Sequence, residues 1–217
     1  MLPGPPASLP ALRQLLAERF PPAARAGEAC LPTGIPAIDS ATGGLPRPGL
    51  TELVCATPSS GSQLFLGQLL QVTRVQSLRV ALVDRADAFD PCSWPAHLLD
   101  HLVWVRATTL EAALSATDLL ARDANLGAVV LDLRALASRE LRRVPSSRWY
   151  RLQRAIEPTL MAGVIFTSFP LVPSARLRFE LTESHSPAAQ KLPRPQLTTA
   201  LAPGLIRQRI TPLASSA

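Results

Sequence analysis

At 217 residues the chain is long enough for one substantial domain with short extensions. Its 47% hydrophobic and 18% charged residues exclude an intrinsically disordered protein. No apolar run reaches the roughly 18 residues of a membrane span, and a formal charge of +6 admits a polyanionic partner without requiring one.

In chain order, residues 1–7 form a Pro/Gly-rich arm, and Ser8 can cap a helix ending near Phe20 before Pro21-Pro22. Leu9, Leu12, Leu15 and Leu16 repeat at helical spacing there, and with Phe20 they form a candidate partner-binding stripe. This start lacks the basic beginning and apolar centre of a secretion signal. Cys30, Cys55 and Cys92 are an odd set without metal-binding spacing. The chain therefore reads as a reduced, cytoplasmic protein.

From residue 30 onward, strand-like and helix-like runs alternate. Strands are expected at 50–55, 78–84, 102–106, 127–133 and 163–168, with helices near 61–75, 109–122 and 147–160. This spacing predicts parallel βαβ units: an α/β, doubly wound, mainly parallel sheet with helices on both faces. The run 127–133 is almost wholly apolar, as a strand covered on both faces would be. Leu177, Phe179 and Leu181 alternate with polar residues, which predicts a sixth strand, 175–183, at a sheet edge. Residues 184–217 read as an irregular Pro/Arg-rich tail with a possible short strand at 205–211. The expected organisation is an arm and helix over 1–30, a core domain over 31–183 and a tail over 184–217.

Between the first strand and its helix lies 56-ATPSSGSQLF-65. A working phosphate loop reads G-x-x-x-x-G-K-S/T, with Lys on the β/γ-phosphates and Ser/Thr on Mg²⁺. Here Ala56, Ser62 and Gln63 stand at the first glycine, the lysine and the magnesium hydroxyl. The segment before it, 32-PTGIPAIDSATGGLPRPGLTELV-54, carries Thr33, Gly34, Asp39, Gly43, Gly44, Leu45, Pro46, Gly49 and Glu52 in an order that resembles the RecA-like recombinase superfamily. The resemblance covers about residues 30–182 and implies a RecA-like fold, with Asp132 at the Walker B position and Ala86 where the family keeps its water-activating glutamate.

An active loop needs a lysine to neutralise charge on the transferred phosphoryl group. Ser62 cannot supply that charge, Gln63 cannot ligate Mg²⁺ as a hydroxyl does, and Ala86 cannot activate water. We therefore expect no catalytic residues, no cofactor and no enzyme activity. Ser59, Ser60, Gly61, Ser62, Gln63 and Asp132 mark a degenerate nucleotide loop. Nucleotide binding without turnover stays open, because Ser59, Ser60 and Gly61 could present backbone N–H groups at a helix N-terminus.

Seven arginines lie between 134 and 154, against the single acid Glu140. Of these, Arg139, Arg142, Arg143, Arg148, Arg151 and Arg154 are DNA-binding candidates, with Trp149 as a base-stacking ring. A solvated helix whose arginines pair with acids is the competing reading. The resemblance places a DNA-binding loop at this position. Only 169-FPLVPS-174 joins the next two strands, too short for a strand-exchange loop. His97 and His101 at i, i+4 spacing read as a surface pair at a helix end, with no metal site.

A truncated RecA-like domain with a degenerate loop, a short N-terminal helix and a Pro/Arg-rich tail is most similar to the ImuA (SulA-like, recombinase-A-like) proteins. That resemblance implies a non-catalytic accessory protein of an SOS-induced mutasome supporting error-prone translesion DNA synthesis. Its implied partners are an ImuB-like Y-family protein, an error-prone replicative-type DNA polymerase, RecA as a further candidate and weakly held single-stranded DNA. The alternatives are a SulA-type cell-division inhibitor binding FtsZ and a nucleotide-binding regulator.

Overall fold

The computed structural model describes residues 29–85 and 87–209. The stripe Leu9, Leu12, Leu15, Leu16 and Phe20 lies outside these residues, as does Ala86. The described chain opens with a short antiparallel pair, β1 (Ala29–Leu31) and β2 (Leu45–Arg47), on either side of α1 (Pro36–Thr42). There follow β3 (Gly49–Cys55), α2 (Ser62–Val75), β4 (Arg79–Asp84), α3 (Ala96–Leu99), β5 (Leu102–Arg106), α4 (Leu110–Leu120) and β6 (Leu126–Asp132). The remainder is α5 (Ser138–Leu141), α6 (Ser146–Ile156), β7 (Ala162–Thr167), β8 (Leu177–Leu181), α7 (Arg194–Thr199) and β9 (Gly204–Gln208).

Seven strands form one sheet in the order β5-β4-β6-β7-β3-β8-β9. Every neighbouring pair is parallel except β8 with β9. Parallel neighbours need crossover connections, and the helical runs of the sequence supply most of them. Along each strand, alternate side chains enter opposite cores. Val80, Leu82 and Val130 pack with Phe65, Leu66 and Leu69 of α2 on one face. Ala81, Val83, Val129 and Leu131 pack with Leu114 of α4 and Trp149, Leu152 and Ile156 of α6 on the other. All residues of β3, β6 and β7 are buried, as expected for strands covered on both faces.

Two expectations need correction. Strand β8 is not an edge, because β9 pairs outside it and leaves β5 and β9 as the two edges. Its alternating polar residues are only partly exposed: Arg178 turns inward to the buried Glu52. The chain beyond 183 is not an irregular tail over its described part. It supplies β9, and α7 packs against α2 with Gln68 Nε2 donating to Thr198 Oγ1 at 3.4 Å.

The segment that carried the family resemblance has a structural purpose. Asp39 Oδ1 accepts from both the backbone N–H and the hydroxyl of Thr33, each at 2.8 Å, and Oδ2 accepts from Gly34 N at 2.9 Å. This ties the turn before α1 to the helix's first turn. Gly44 has φ +115°, and a β-carbon there would lie 2.3 Å from Leu31 O. Only glycine lets the chain turn so close to β1 before entering β2.

Candidate functional site

The loop 56–61 leaves β3 at its C-terminal end and enters α2 at Ser62. Ligands of open α/β sheets bind outside this edge of the sheet, and Asp132 closes β6 at the same edge. Asp84 and Asp132 are in register on the adjacent strands β4 and β6. Asp84 accepts from the backbone N–H groups of Ala88 and Phe89 at 3.1 and 3.0 Å, so its charge orders the turn after β4.

Asp132 is held by an arginine. Arg134 Nε lies 2.9 Å from Oδ1 and 3.1 Å from Oδ2, while Nη2 donates to Oδ2. Nη1 donates to Ser62 Oγ, and the backbone N–H of Arg134 reaches Oδ1 at 3.1 Å. The guanidinium carbon lies 5.4 Å from the Phe166 ring centroid. Burial alone would pull the Arg134 pKa down, but the hydrogen bond and charge of Asp132 outweigh it and hold the group above the ordinary arginine value. The Cys55 thiol faces the same cluster. Burial pushes its pKa up to about 11, with Arg134 opposing and Asp132 adding to the shift, so it stays a thiol.

Two clefts flank the guanidinium. One of about 240 Å³ is lined by Cys55, Ala56, Ser59, Ser60 and Ser168, among others; one of about 380 Å³ by Ser62, Gln63, Ala88 and His185, among others. Arg134 lines both. Ser60 and Ser62 are buried, whereas Ser59 is exposed. Ser59 at φ +56° and Gly61 at φ +94° give the loop its left-handed turns.

From outside, the chain after β8 grips this loop. Thr57 Oγ1 donates to Thr182 O at 3.2 Å, Ser184 Oγ to Pro58 O at 2.7 Å, and His185 N to Ser59 O at 3.0 Å. A β-carbon on Gly61 would meet Leu201 Cδ1 at 2.5 Å.

The residues proposed from sequence thus divide. Ser60, Ser62, Asp132 and the loop converge, joined by Arg134. Neither Arg134 nor the strap at 182–185 was foreseen as part of the site. The signal for Arg134 was its place two residues past Asp132; nothing in the sequence marked the strap.

The basic segment does not form one patch. Trp149 is only 1% exposed and packs in the core under α6, which corrects its reading as a base-stacking ring. Its place in the α6 repeat with Leu152, Ala155 and Ile156 puts it on the apolar face. Arg148 pairs with Glu111 and Arg151 with Asp118, the latter at 3.3 Å, so both pin α6 to α4. Arg142 lies over the Phe169 ring, 4.5 Å from its centroid. Arg139, Arg143 and Arg154 are exposed and carry no ion pair among the described residues.

Glu52 is fully buried between β7 and β8. Its Oε1 accepts from Thr167 Oγ1 at 3.0 Å, Leu171 N at 2.6 Å and Val172 N at 3.1 Å; Oε2 accepts from Arg178 Nε at 2.6 Å. This network fixes the connection after β7. That connection also meets α6, where Ser174 Oγ donates to Trp149 O at 2.9 Å.

The histidines are not a surface pair. His97 is exposed, but His101 is 9% exposed and its Nε2 sits 3.0 Å from Thr73 Oγ1. No group of three or more His, Cys, Asp or Glu residues could hold a metal among the described residues. Among them, too, no helix is long and apolar enough to cross a membrane. No family model and no curated protein matches the chain.

Proposed function

We propose that this chain is a non-catalytic RecA-like protein of the ImuA type. In this reading it works as an accessory factor in error-prone translesion synthesis, with an ImuB-like Y-family protein and an error-prone replicative-type polymerase. The observation that carries the reading is the Arg134 bridge. The loop of β3 and the Walker-B-like Asp132 meet at the ligand-binding edge of a parallel sheet, yet the cation between them belongs to the protein and is consumed by Asp132. Ser62 and Gln63 add neither the lysine nor the metal-binding hydroxyl of phosphoryl transfer.

A scaffold that keeps the architecture without the chemistry acts through contacts. Arg139, Arg143 and Arg154 are exposed on and next to α5 and α6. They are the residues we assign to weak, sequence-independent contact with single-stranded DNA.

Affinity capture of a co-expressed ImuB-like protein tests the partner assignment. The full chain should retain it, and deletion of residues 1–22 should abolish capture while leaving a cooperative melt. Failure of the full chain to capture it, together with binding to FtsZ, would replace this reading with that of a SulA-type inhibitor.

A further inference from the structure

The residues around the loop do not fit a metal-bound nucleotide. Both oxygens of Asp132, the carboxylate that the resemblance would give to a metal, face a guanidinium fixed by sequence two residues away. A divalent cation there would have to displace a bidentate, mostly buried partner or sit beside its charge. The same guanidinium occupies the hydroxyl of Ser62, where an active loop carries its lysine. On the outer side, Ser184 and His185 donate to the loop carbonyls of Pro58 and Ser59, the Thr182 carbonyl accepts from the Thr57 hydroxyl, and Leu201 packs close to Gly61. In nucleotide switches, phosphate and metal contacts order such a segment. Here protein groups hold it from both sides.

We propose that Arg134 is the internal occupant of this site: it fastens the loop to β6 and determines that the chain neither takes a metal-bound nucleotide nor needs one to order residues 56–62. The proposal rests on the non-catalytic reading of the loop but not on the identity of the partners. Its particular content is that a cation two residues past the carboxylate strand replaces a ligand, so the scaffold is held in one state irrespective of nucleotide supply.

Hydrogen–deuterium exchange of the full chain tests it, read on peptides covering 56–62 with and without magnesium and ATP. Wild type should show the same exchange there with and without both. Arg134→Ala should exchange about tenfold faster in 56–62, as expected when charge-assisted bonds that close a local segment are lost, with β4 and β6 retaining their protection. Ser62→Ala keeps the Arg134–Asp132 pair but removes its tie to the loop. It should show the same local effect, and it serves if Arg134→Ala does not fold. If 56–62 exchanges as in wild type in both variants, and wild type has no ATP turnover, the lock is wrong while the non-catalytic reading stands. Protection of the wild-type loop by magnesium and ATP without hydrolysis also overturns the lock alone. Turnover of ATP by wild type overturns both.

Discussion

Arg134 and Asp132 sit two residues apart at the end of β6, yet the guanidinium of one bridges the carboxylate of the other to Ser62 on α2. The pair ties the end of β6 to the helix that follows β3, a strand that β7 separates from β6. Because it is formed within one turn of chain, little loop entropy opposes it. Asp132→Ala would leave a mostly buried cation without its partner, and we expect a loss of about 1.5–3 kcal/mol, the range for hydrogen bonds to charged groups. Arg134→Ala should cost a similar amount, and the double variant less than the sum of the two. Urea melts of the four proteins measure this; additive losses would show that the two side chains are not coupled.

Catalysis supplies the second test. With Ser62 and Gln63 in the loop and Asp132 engaged, hydrolysis of ATP should stay at background with or without single-stranded DNA. A turnover of even ~1 s⁻¹, the slow end of ordinary enzymes, in a coupled phosphate-release assay would refute this.

His101 predicts a pH dependence. Burial first, then the Arg74 charge, lower its pKa below the ordinary 6.5. Thr73 Oγ1 donates to Leu69 O at 2.7 Å, so it accepts from His101 Nε2, and buried Nδ1 makes no hydrogen bond. Protonating Nδ1 would place an unmatched charge in the core. Arg74 faces the ring from α2 and Asp100 from its own segment, the two forming a partly exposed pair at 3.8 Å. The unfolded chain therefore binds the proton first as pH falls through 6.5. Stability should be fully present above that value and decline below it, down to the lower folded-state pKa. The steepest possible slope is about 1.4 kcal/mol per pH unit for one proton. Chemical melts from pH 7.5 to 5 should show the decline, and His101→Gln should flatten it.

The sequence made the parallel architecture readable because the strand runs differ from the helices in period and length. The hydrophobic runs at 50–55, 78–84, 102–106, 127–133 and 163–168 each became a strand within about one residue. What it could not give was pairing across distance. Strand β9 is exposed on most of its length and has no strong apolar pattern, so its place beside β8 comes from backbone pairing that side chains do not encode. Trp149 was misplaced for a related reason. Among seven arginines its aromatic character suggested a stacking surface, while its spacing with Leu152 and Ile156 was the decisive signal. The loop was legible as degenerate from Ser62 and Gln63, but the bridge from Arg134 needs a three-dimensional contact across 72 positions.

Glu52 gives a sharper stability prediction. Its two oxygens satisfy an arginine, a hydroxyl and two backbone N–H groups inside the protein. Glu52→Ala should cost about 3–5 kcal/mol, the usual loss when one partner of a buried pair is removed. Replacing a buried ion pair wholly by apolar residues is often tolerated. Here Glu52→Leu with Arg178→Met should not recover the loss, because the N–H groups of Leu171 and Val172 stay buried without an acceptor. Full recovery of the melting midpoint in the double variant would show that those amides find other partners.

The DNA prediction follows from which arginines are already engaged. Arg148 and Arg151 are committed to Glu111 and Asp118, so replacing them should loosen α6 from α4 more than it weakens DNA binding. Each pair is partly exposed and should be worth under about 1 kcal/mol. Trp149→Ala should cost about 3–5 kcal/mol of stability as a buried aromatic, with no separate loss of base stacking once unfolding is accounted for. The DNA test is the triple change of Arg139, Arg143 and Arg154 to Ala, which leaves these packing contacts alone. If each arginine neutralises one phosphate, binding to single-stranded DNA should weaken, and the slope of log K against log salt should fall in magnitude by about two, at ~0.7 per contact. Fluorescence anisotropy with a labelled oligonucleotide across a salt series measures both quantities, and a thermal melt confirms that the variant is folded. A folded triple variant with wild-type affinity and slope would remove α5 and α6 from the DNA surface and leave these arginines as general solvation of the fold.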